Sequence, residues 1–325
     1  MGRHNGFIAN IQSIIESPFT GVRYIHHHAY PVHFLDHLFT QSIYTQVLVI
    51  VPTGAAKLVV PIVAESHVYH SPVAEAFYIR DVSMEYNGKY MMENNFEYTK
   101  NVLHFCLDRK IQLMYASSAS TYGGGLHGFR EEPACEEALN VYAFSKLFFD
   151  NYLRRLLPQA QSQVVGLRYF NVYGPQENHK GKMASMIYQM YNQWKAEGKV
   201  RLFGEYDGYG PGEHTRDFIY VKDVVKVNFY FWEHPEISGI FNCGTGHAHQ
   251  FNTLAKGVLK HFGSGELEYV PFPEVLKGKY QSFTQADTAN LLAAGYDGGF
   301  TPIEDAIAEY CALLDKTGGY YVYER

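Results

Sequence analysis

Apolar positions fall at helical spacing in several separate stretches of the chain, and short apolar runs lie between them. The spacing predicts helices over Met92–Arg109, Val141–Leu156, Met183–Lys195, Val221–Trp232, Asn252–Phe262 and Pro302–Asp315, the last opening with Pro302 in its first turn. In the second of these, Leu147, Phe148, Tyr152 and Leu156 share a helical face. Strands are predicted at Ile111–Ala116, Ser162–Tyr173, Phe218–Val221 and Ile240–Cys243. The second strand enters a turn at Gly174–Pro175, and the last is closed by Gly244-Thr245-Gly246. Strands alternating with helices argue for an α/β fold, a parallel sheet with helices on both faces. No internal repeat or low-complexity segment interrupts the pattern.

The first 83 residues do not share this rhythm. They hold four basic residues (Arg3, Arg23, Lys57, Arg80), five acidic ones (Glu16, Asp36, Glu65, Glu75, Asp81) and eight of the sixteen histidines, including His26, His27 and His28. No acid or thiol stands at metal-ligand spacing from these histidines, so the expectation is no metal site. Val47–Ala64 is apolar, but Pro52, Gly54, Lys57 and Pro61 break a spanning helix and put a charge within it, so no membrane partner is expected.

A length of 325 residues suits one large α/β domain or a core with a lobe, and the net charge of −6 argues against a nucleic-acid partner. Cys106, Cys135, Cys243 and Cys311 form no CxxC pair, which fits free thiols in a reducing cytoplasm. No basic region followed by an apolar core opens the sequence, so no secretion signal is expected.

The candidate chemistry centres on NVYAFSK, Asn140–Lys146. Tyr142 and Lys146 stand four residues apart and so share one helix face. An ammonium beside a phenol lowers the phenol's pKa, which suits proton exchange with a substrate alcohol. Upstream, YASSASTYGG (Tyr115–Gly124) follows a strand and places Ser118 at the carboxyl edge of the sheet, where open α/β sheets bind ligands. Downstream, RYFNVYGPQENHKGKMAS (Arg168–Ser185) adds a polar loop with His179, Lys180 and Lys182. Arg216, in HTRDF, is either a bidentate pyrophosphate clamp or the partner of Asp217 or another acid.

SSxxxYG, YxxxK and RYFNVYGP, in this order and spacing, resemble an extended short-chain dehydrogenase/reductase that works on nucleotide sugars. More closely, NGKYMMENNFEYTKNVLHFC, YASSASTYGG, LNVYAFSKLFFD, VVGLRYFNVYGP, HKGKMAS, DGYGPGEHTRDFIYVKDV, IFNCGTG and PFPEVLKGKYQSFTQAD resemble the ADP-L-glycero-D-manno-heptose 6-epimerase family, from about Asn87 to about Leu314. The resemblance implies a Rossmann-like doubly wound parallel sheet with a smaller C-terminal substrate lobe. Residues 84–170 and about 217–250 would form the remainder of the cofactor domain, and 171–216 and about 251–325 the lobe.

It also implies a reaction: inversion of carbon 6 of ADP-D-glycero-D-manno-heptose by transient oxidation with tightly bound NADP, supplying heptose for lipopolysaccharide core. Tyr142 and Lys180 would be the two acid/base groups, and Ser118 would hold the reacting oxygen. Asn94, Lys146, Val172 and Lys180 would line the cofactor site. Asn171, Lys182, Gln189, Phe203, Gly204, Glu205, Tyr206, Arg216 and Tyr280 would contact the ADP-heptose substrate. A homo-oligomer is expected. Lys182 stands where the family has a small hydroxyl residue, and Gln189 where it has a histidine.

The family's opening GxxGxxG turn is missing from residues 1–83. NGFIAN (Asn5–Asn10) and VLVIVPTGAA (Val47–Ala56) resemble it only faintly, and no residue selects NAD over NADP. The stretch therefore reads as something other than the native cofactor half, as from translation in the wrong frame, against extreme divergence that keeps the fold. In the first case NADP binding should be poor and the sheet edge near Leu113 exposed. Two rival functions follow. One is another nucleotide-sugar epimerase or dehydratase, disfavoured where Ala119 and Ser120 follow Ser118 in place of acids. The other is a catalytically impaired nucleotide-sugar-binding relative.

Overall fold

The structure, a computed structural model, describes residues 47–53, 56–62, 87–278 and 280–320. His26–His28, NGFIAN and the charged residues of the first 83 other than Lys57 lie outside the described residues. In chain order the elements are β1 (Val47–Thr53), β2 (Ala56–Ile62), α1 (Gly88–Met91), a π-helical turn (Met92–Glu97), α2 (Tyr98–Arg109), β3 (Gln112–Ser118) and α3 (Val141–Leu156). There follow β4 (Val164–Tyr169), β5 (Asn171–Tyr173), α4 (Met186–Glu197), β6 (Lys199–Phe203), β7 (Thr215–Tyr220) and α5 (Val221–Glu233). The chain ends with β8 (Gly239–Cys243), β9 (Ala248–Gln250), α6 (Phe251–Phe262), β10 (Glu266–Val270), α7 (Ala289–Ala293) and α8 (Ile303–Thr317).

The main sheet runs β2-β1-β3-β4-β8. Its β3, β4 and β8 are parallel, with Leu113 opposite Val164 and Leu167 opposite Phe241. β1 and β2 form an antiparallel hairpin, and β1 pairs antiparallel with β3 from Val47–Tyr115 to Ile50–Gln112. VLVIVPTGAA thus leads from one strand into another, not from a strand through a glycine turn into a helix, and the edge of β3 near Leu113 is covered. Two smaller sheets, β5-β7-β9 and β10-β6, build the region beyond the sheet's carboxyl edge. No helix among the described residues is long and apolar enough to cross a membrane.

Side chains alternate across the main sheet, as the two-residue period of a strand requires. Leu113, Tyr115 and Val164 pack with Leu103, Cys106, Phe149 and Leu153 of α2 and α3. Met114, Val165 and Leu167 face the larger core with Val224, Val227 and Phe231 of α5. α3 starts where Asn140 caps it by accepting a hydrogen bond from the Ala143 amide at 2.8 Å. All four cysteines are buried free thiols.

The run Ser162–Tyr173, expected as one strand, is two. Phe170 separates β4, in the main sheet, from β5, which pairs with β7. β4 is largely buried, while β5 runs from exposed Asn171 through half-buried Val172 to buried Tyr173.

Candidate active site

Parallel strands β3, β4 and β8 end at one edge, and the loops leaving them carry the polar residues of the site. Ser118 ends β3 and caps the following 3₁₀ turn; its Oγ accepts from the Ser120 amide at 3.2 Å and from Ser120 Oγ at 2.9 Å. Tyr142, in the first turn of α3, hydrogen-bonds Ser118. Burial pushes the Tyr142 phenol above its ordinary pKa, and the bond to Ser118 pulls it partly back.

Lys146 is 6% exposed and donates to the Ala116 carbonyl at 2.8 Å, with Nζ 5.9 Å from the Tyr142 ring centroid. The expected lowering of Tyr142 by this ammonium is not what the structure shows: burial dominates and Lys146 is turned toward the strand backbone. Burial lowers Lys146 itself to about 8, opposed by the charge of Asp150 one turn further along α3.

The nicotinamide end of a dinucleotide fits this corner. An ammonium has three donors, and Lys146 spends one on Ala116, which leaves N–H groups beside Tyr142 for the hydroxyls of a ribose. Asn94 lies in the π-helical turn, its amide donating to the Tyr90 carbonyl at 2.8 Å, and Val172 is half-buried in β5. π-Helical turns cluster at functional sites. No strand–glycine turn–helix cradle for a pyrophosphate occurs among the described residues.

Lys180 comes from a separate segment, the 3₁₀ turn Asn178–Met183. Burial lowers its ammonium to about 8, against the raising charge of Glu177. Gln189 donates from its side-chain amide to the Gly181 carbonyl at 2.8 Å, so it holds this turn from α4. Asn171 is exposed at the start of β5, and Lys182 lies in the same turn as Lys180.

Arg216 is 6% exposed in β7. Its Nη1 donates to the Thr215 carbonyl at 2.9 Å, and its guanidinium hydrogen-bonds Tyr280, with the guanidinium carbon 4.8 Å from that ring's centroid. It does not pair with Asp217. That carboxylate accepts from the Thr245, Gly246 and Ala286 amides at 2.8, 2.9 and 3.0 Å, and so shapes the Gly244–Gly246 turn.

An aromatic cluster adjoins the guanidinium. Tyr280 lies 5.2 Å from both Phe272 and His214 and 6.5 Å from Phe203, and Tyr206 stacks on Phe272 at 4.1 Å, as ring centroids. Between Phe203 and Tyr206, the Gly204 amide donates to the Val270 carbonyl at 2.7 Å and Glu205 is exposed. Gln281 donates to the Gly123 carbonyl, which ties the Tyr280 segment to the loop after Ser118.

The residues thus form three groups: Ser118, Tyr142 and Lys146; Lys180 with Gln189; and Arg216 with Phe203, Tyr206 and Tyr280. Sequence reasoning missed three buried acids beneath them, Asp150, Glu177 and Asp217, each fully buried. An acid within an apolar run, as in RDFIY, was the available signal. Among the described residues no group of three metal-ligating side chains occurs.

The model of the NAD dependent epimerase/dehydratase family matches residues 22–244. The ADP-L-glycero-D-manno-heptose-6-epimerase of Brachyspira hyodysenteriae is 54% identical over 240 residues, covering 73% of this chain and 74% of its own. The crystal structure of the Helicobacter pylori ADP-L-glycero-D-manno-heptose-6-epimerase superposes with a TM-score of 0.62 at 32% identity, over 72% of this chain and 69% of that one. A Thermus thermophilus UDP-glucose 4-epimerase, solved with NAD, shares the fold at a TM-score of 0.58 and 24% identity, over 70% of this chain and 71% of that one.

Proposed function

This chain belongs to the NAD-dependent epimerase/dehydratase family, and from that we propose that it inverts carbon 6 of ADP-D-glycero-D-manno-heptose. The observation that carries the reading is that two half-buried proton-exchanging groups, Tyr142 on α3 and Lys180 on the 178–183 turn, come from separate segments. Inversion at one carbon needs proton exchange in two orientations of its oxygen, and two independently mounted groups supply it.

A bound nicotinamide cofactor, taken here as NADP, supplies the reversible hydride acceptor. Tyr142 would exchange a proton with the C6 hydroxyl in one orientation while Ser118 holds that oxygen, a role that needs a bound ligand or cofactor charge to offset the burial of the phenol. After the side arm turns, Lys180 donates the proton to the same oxygen in the other orientation; in the reverse direction the two exchange duties. A lysine that titrates near 8 is divided between ammonium and amine under mildly alkaline conditions, as this task requires. Lys146, with Asn94 and Val172, would hold the nicotinamide ribose end. Arg216, a buried cation that meets the Thr215 carbonyl and Tyr280, would clamp the pyrophosphate beside the aromatic cluster. Asn171, Lys182, Glu205 and Tyr206 would contact the remainder of the sugar nucleotide. The product would supply heptose for lipopolysaccharide core. A homo-oligomer is the expected assembly, and the exposed, stacked Phe144 and Phe148 on α3 support it.

The test is to incubate the purified chain, loaded with NADP⁺, with ADP-D-glycero-D-manno-heptose and read the C6 configuration by NMR. Appearance of the L-glycero form is expected. No inversion by a protein shown to hold the cofactor sinks the proposal. The β1–β2 hairpin favours a second reading, a nucleotide-sugar-binding relative without hydride chemistry. NADPH fluorescence decides between them: ADP-heptose binding with no uptake of nicotinamide supports the second.

A further inference from the structure

Glu177 is fully buried. One carboxylate oxygen accepts from Ser185 Oγ at 2.6 Å and from the Tyr310 hydroxyl at 2.9 Å; the other accepts from the Ser185 amide at 2.6 Å. The Gly174 amide lies 3.5 Å from the first oxygen. The carboxylate therefore closes the chain from Glu177 to Ser185 into a loop and fastens it to α8. Lys180 sits inside that loop, its amide donating to the Glu177 carbonyl at 2.9 Å. The outer side is strapped to the end of α8 as well: the Gln176 amide donates to the Gly319 carbonyl at 2.9 Å, and Asn178 to that of Gly318.

We propose that Glu177 is the positioning residue for Lys180, fixing the loop that carries the ammonium and placing a buried negative charge beside it. This rests on the reading of Lys180 as a proton-exchanging group, but its physical content stands apart from catalysis. Four donors surround the carboxylate, which meets the hydrogen-bonding need of an acid buried here. Its charge opposes the burial that brings Lys180 to about 8. His179 and Lys182 are the other titratable residues on the loop, and Tyr310 is the titratable group facing Glu177 from α8. Without the acid, burial acts on Lys180 unopposed and the amine form prevails at lower pH.

The experiment reads Lys180 directly in the full-length chain. Competitive acylation across pH 6 to 10, followed by peptide mass spectrometry, gives its apparent pKa without cofactor or substrate. In Glu177→Gln the midpoint is expected to fall by about one pH unit, while Glu177→Asp restores it toward the parent value. An unmoved midpoint in a folded Glu177→Gln variant overturns the proposal. Should that variant not fold, Ser185→Ala and Tyr310→Phe carry the test. Each removes one donor and is expected to speed amide exchange over 178–185 about tenfold, the loss of one hydrogen bond's worth of fixation; unchanged exchange overturns it. Lys180→Met separates the two readings. If this variant still inverts carbon 6, the acid/base assignment fails, whatever the titration shows. If it is inactive and the Glu177→Gln midpoint stays put, only the positioning role fails.

Discussion

The Arg216 guanidinium lies over Tyr280, its carbon 4.8 Å from the ring centroid, and donates a hydrogen bond to the Thr215 backbone carbonyl. A buried cation held by an aromatic face and a carbonyl is desolvated without being neutralised. Burial accordingly lowers its proton affinity, against the raising influence of Tyr280. An anionic ligand would complete it. Arg216→Met is expected to weaken ADP binding about 30- to 100-fold, the worth of a charge-assisted pair. It should not lower thermal stability, because no carboxylate is left stranded. Isothermal titration with ADP and a melting curve check both halves, and unchanged ADP affinity removes Arg216 from the binding site.

Lys146 ties the site to pH. Its folded pKa is about 8 against an ordinary 10.5. Between those values the unfolded chain holds the proton and the folded chain does not, so this residue makes stability rise with pH. Below about 8 both states are protonated and the full cost of burying the ammonium is felt. Buried thiols act in the opposite sense: burial raises Cys106 and Cys311 to about 12 from 9.0, which takes stability away above pH 9. The clean quantity is therefore the difference between parent and variant. Lys146→Met is expected to be about 1–3 kcal/mol more stable than the parent at pH 7, with the gap narrowing by pH 10. Denaturant titrations at the two pH values measure it. A gap that stays constant refutes the depressed pKa.

Asp150 anchors a buried charge network below the site. It accepts from Tyr115 Oη at 2.7 Å, Ser117 Oγ at 2.9 Å and Arg168 Nε at 2.9 Å, and Arg168 also reaches Glu136 at 2.6 Å. Arg168 is fully buried, its remaining nitrogen has no hydrogen-bond partner, and its guanidinium carbon lies 4.9 Å from the Tyr122 ring centroid. Removing one member of such a set strands the other charge. Asp150→Asn should cost about 3–5 kcal/mol in urea unfolding and lower the Lys146 titration further, since Asp150 is what opposes burial there. A loss below about 1 kcal/mol would show the network to be dispensable.

How far the sequence revealed these features depended on the range of the interaction that creates each one. α3 runs Val141–Leu156, as its spacing and Asn140 predict, because cap and amphipathic stripe are both local. Ser118 and Tyr142 meet because each sits at an end the motifs mark. β6, β9 and β10 leave no mark in the sequence pattern: three to five residues, with charges alternating in KVRLF and ELEYV, give too short a period to stand out. The π-helical turn at Met92–Glu97 replaces what the periodicity gives as plain helix, since one wider turn leaves the apolar stripe nearly intact. Glu177 reaches Tyr310 across 133 positions of chain, and no local pattern announces such a partner. The β1–β2 hairpin was masked by the same apolar run that raised the question of a membrane span.

Gly166 offers the sharpest steric test of the layer beneath the site. It lies in β4 opposite Tyr115, and a Cβ placed on it would stand 2.3 Å from Tyr115 Oη and 2.5 Å from Cζ. The ring crosses over the glycine to deliver its hydroxyl to Asp150. Gly166→Ala must therefore push the ring aside, break that bond and disturb the carboxylate that also holds Arg168. The expected cost is about 2–4 kcal/mol, with lower inversion activity because Asp150 lies one turn from Lys146. Tyr115→Leu alone should cost about 2–3 kcal/mol through lost packing and the lost hydrogen bond. In Gly166→Ala/Tyr115→Leu the clash is gone, so the double variant should be more stable than the sum of the single losses by about 1–2 kcal/mol. Strict additivity in urea unfolding would place the two side chains out of contact and contradict the packing of β3 on β4.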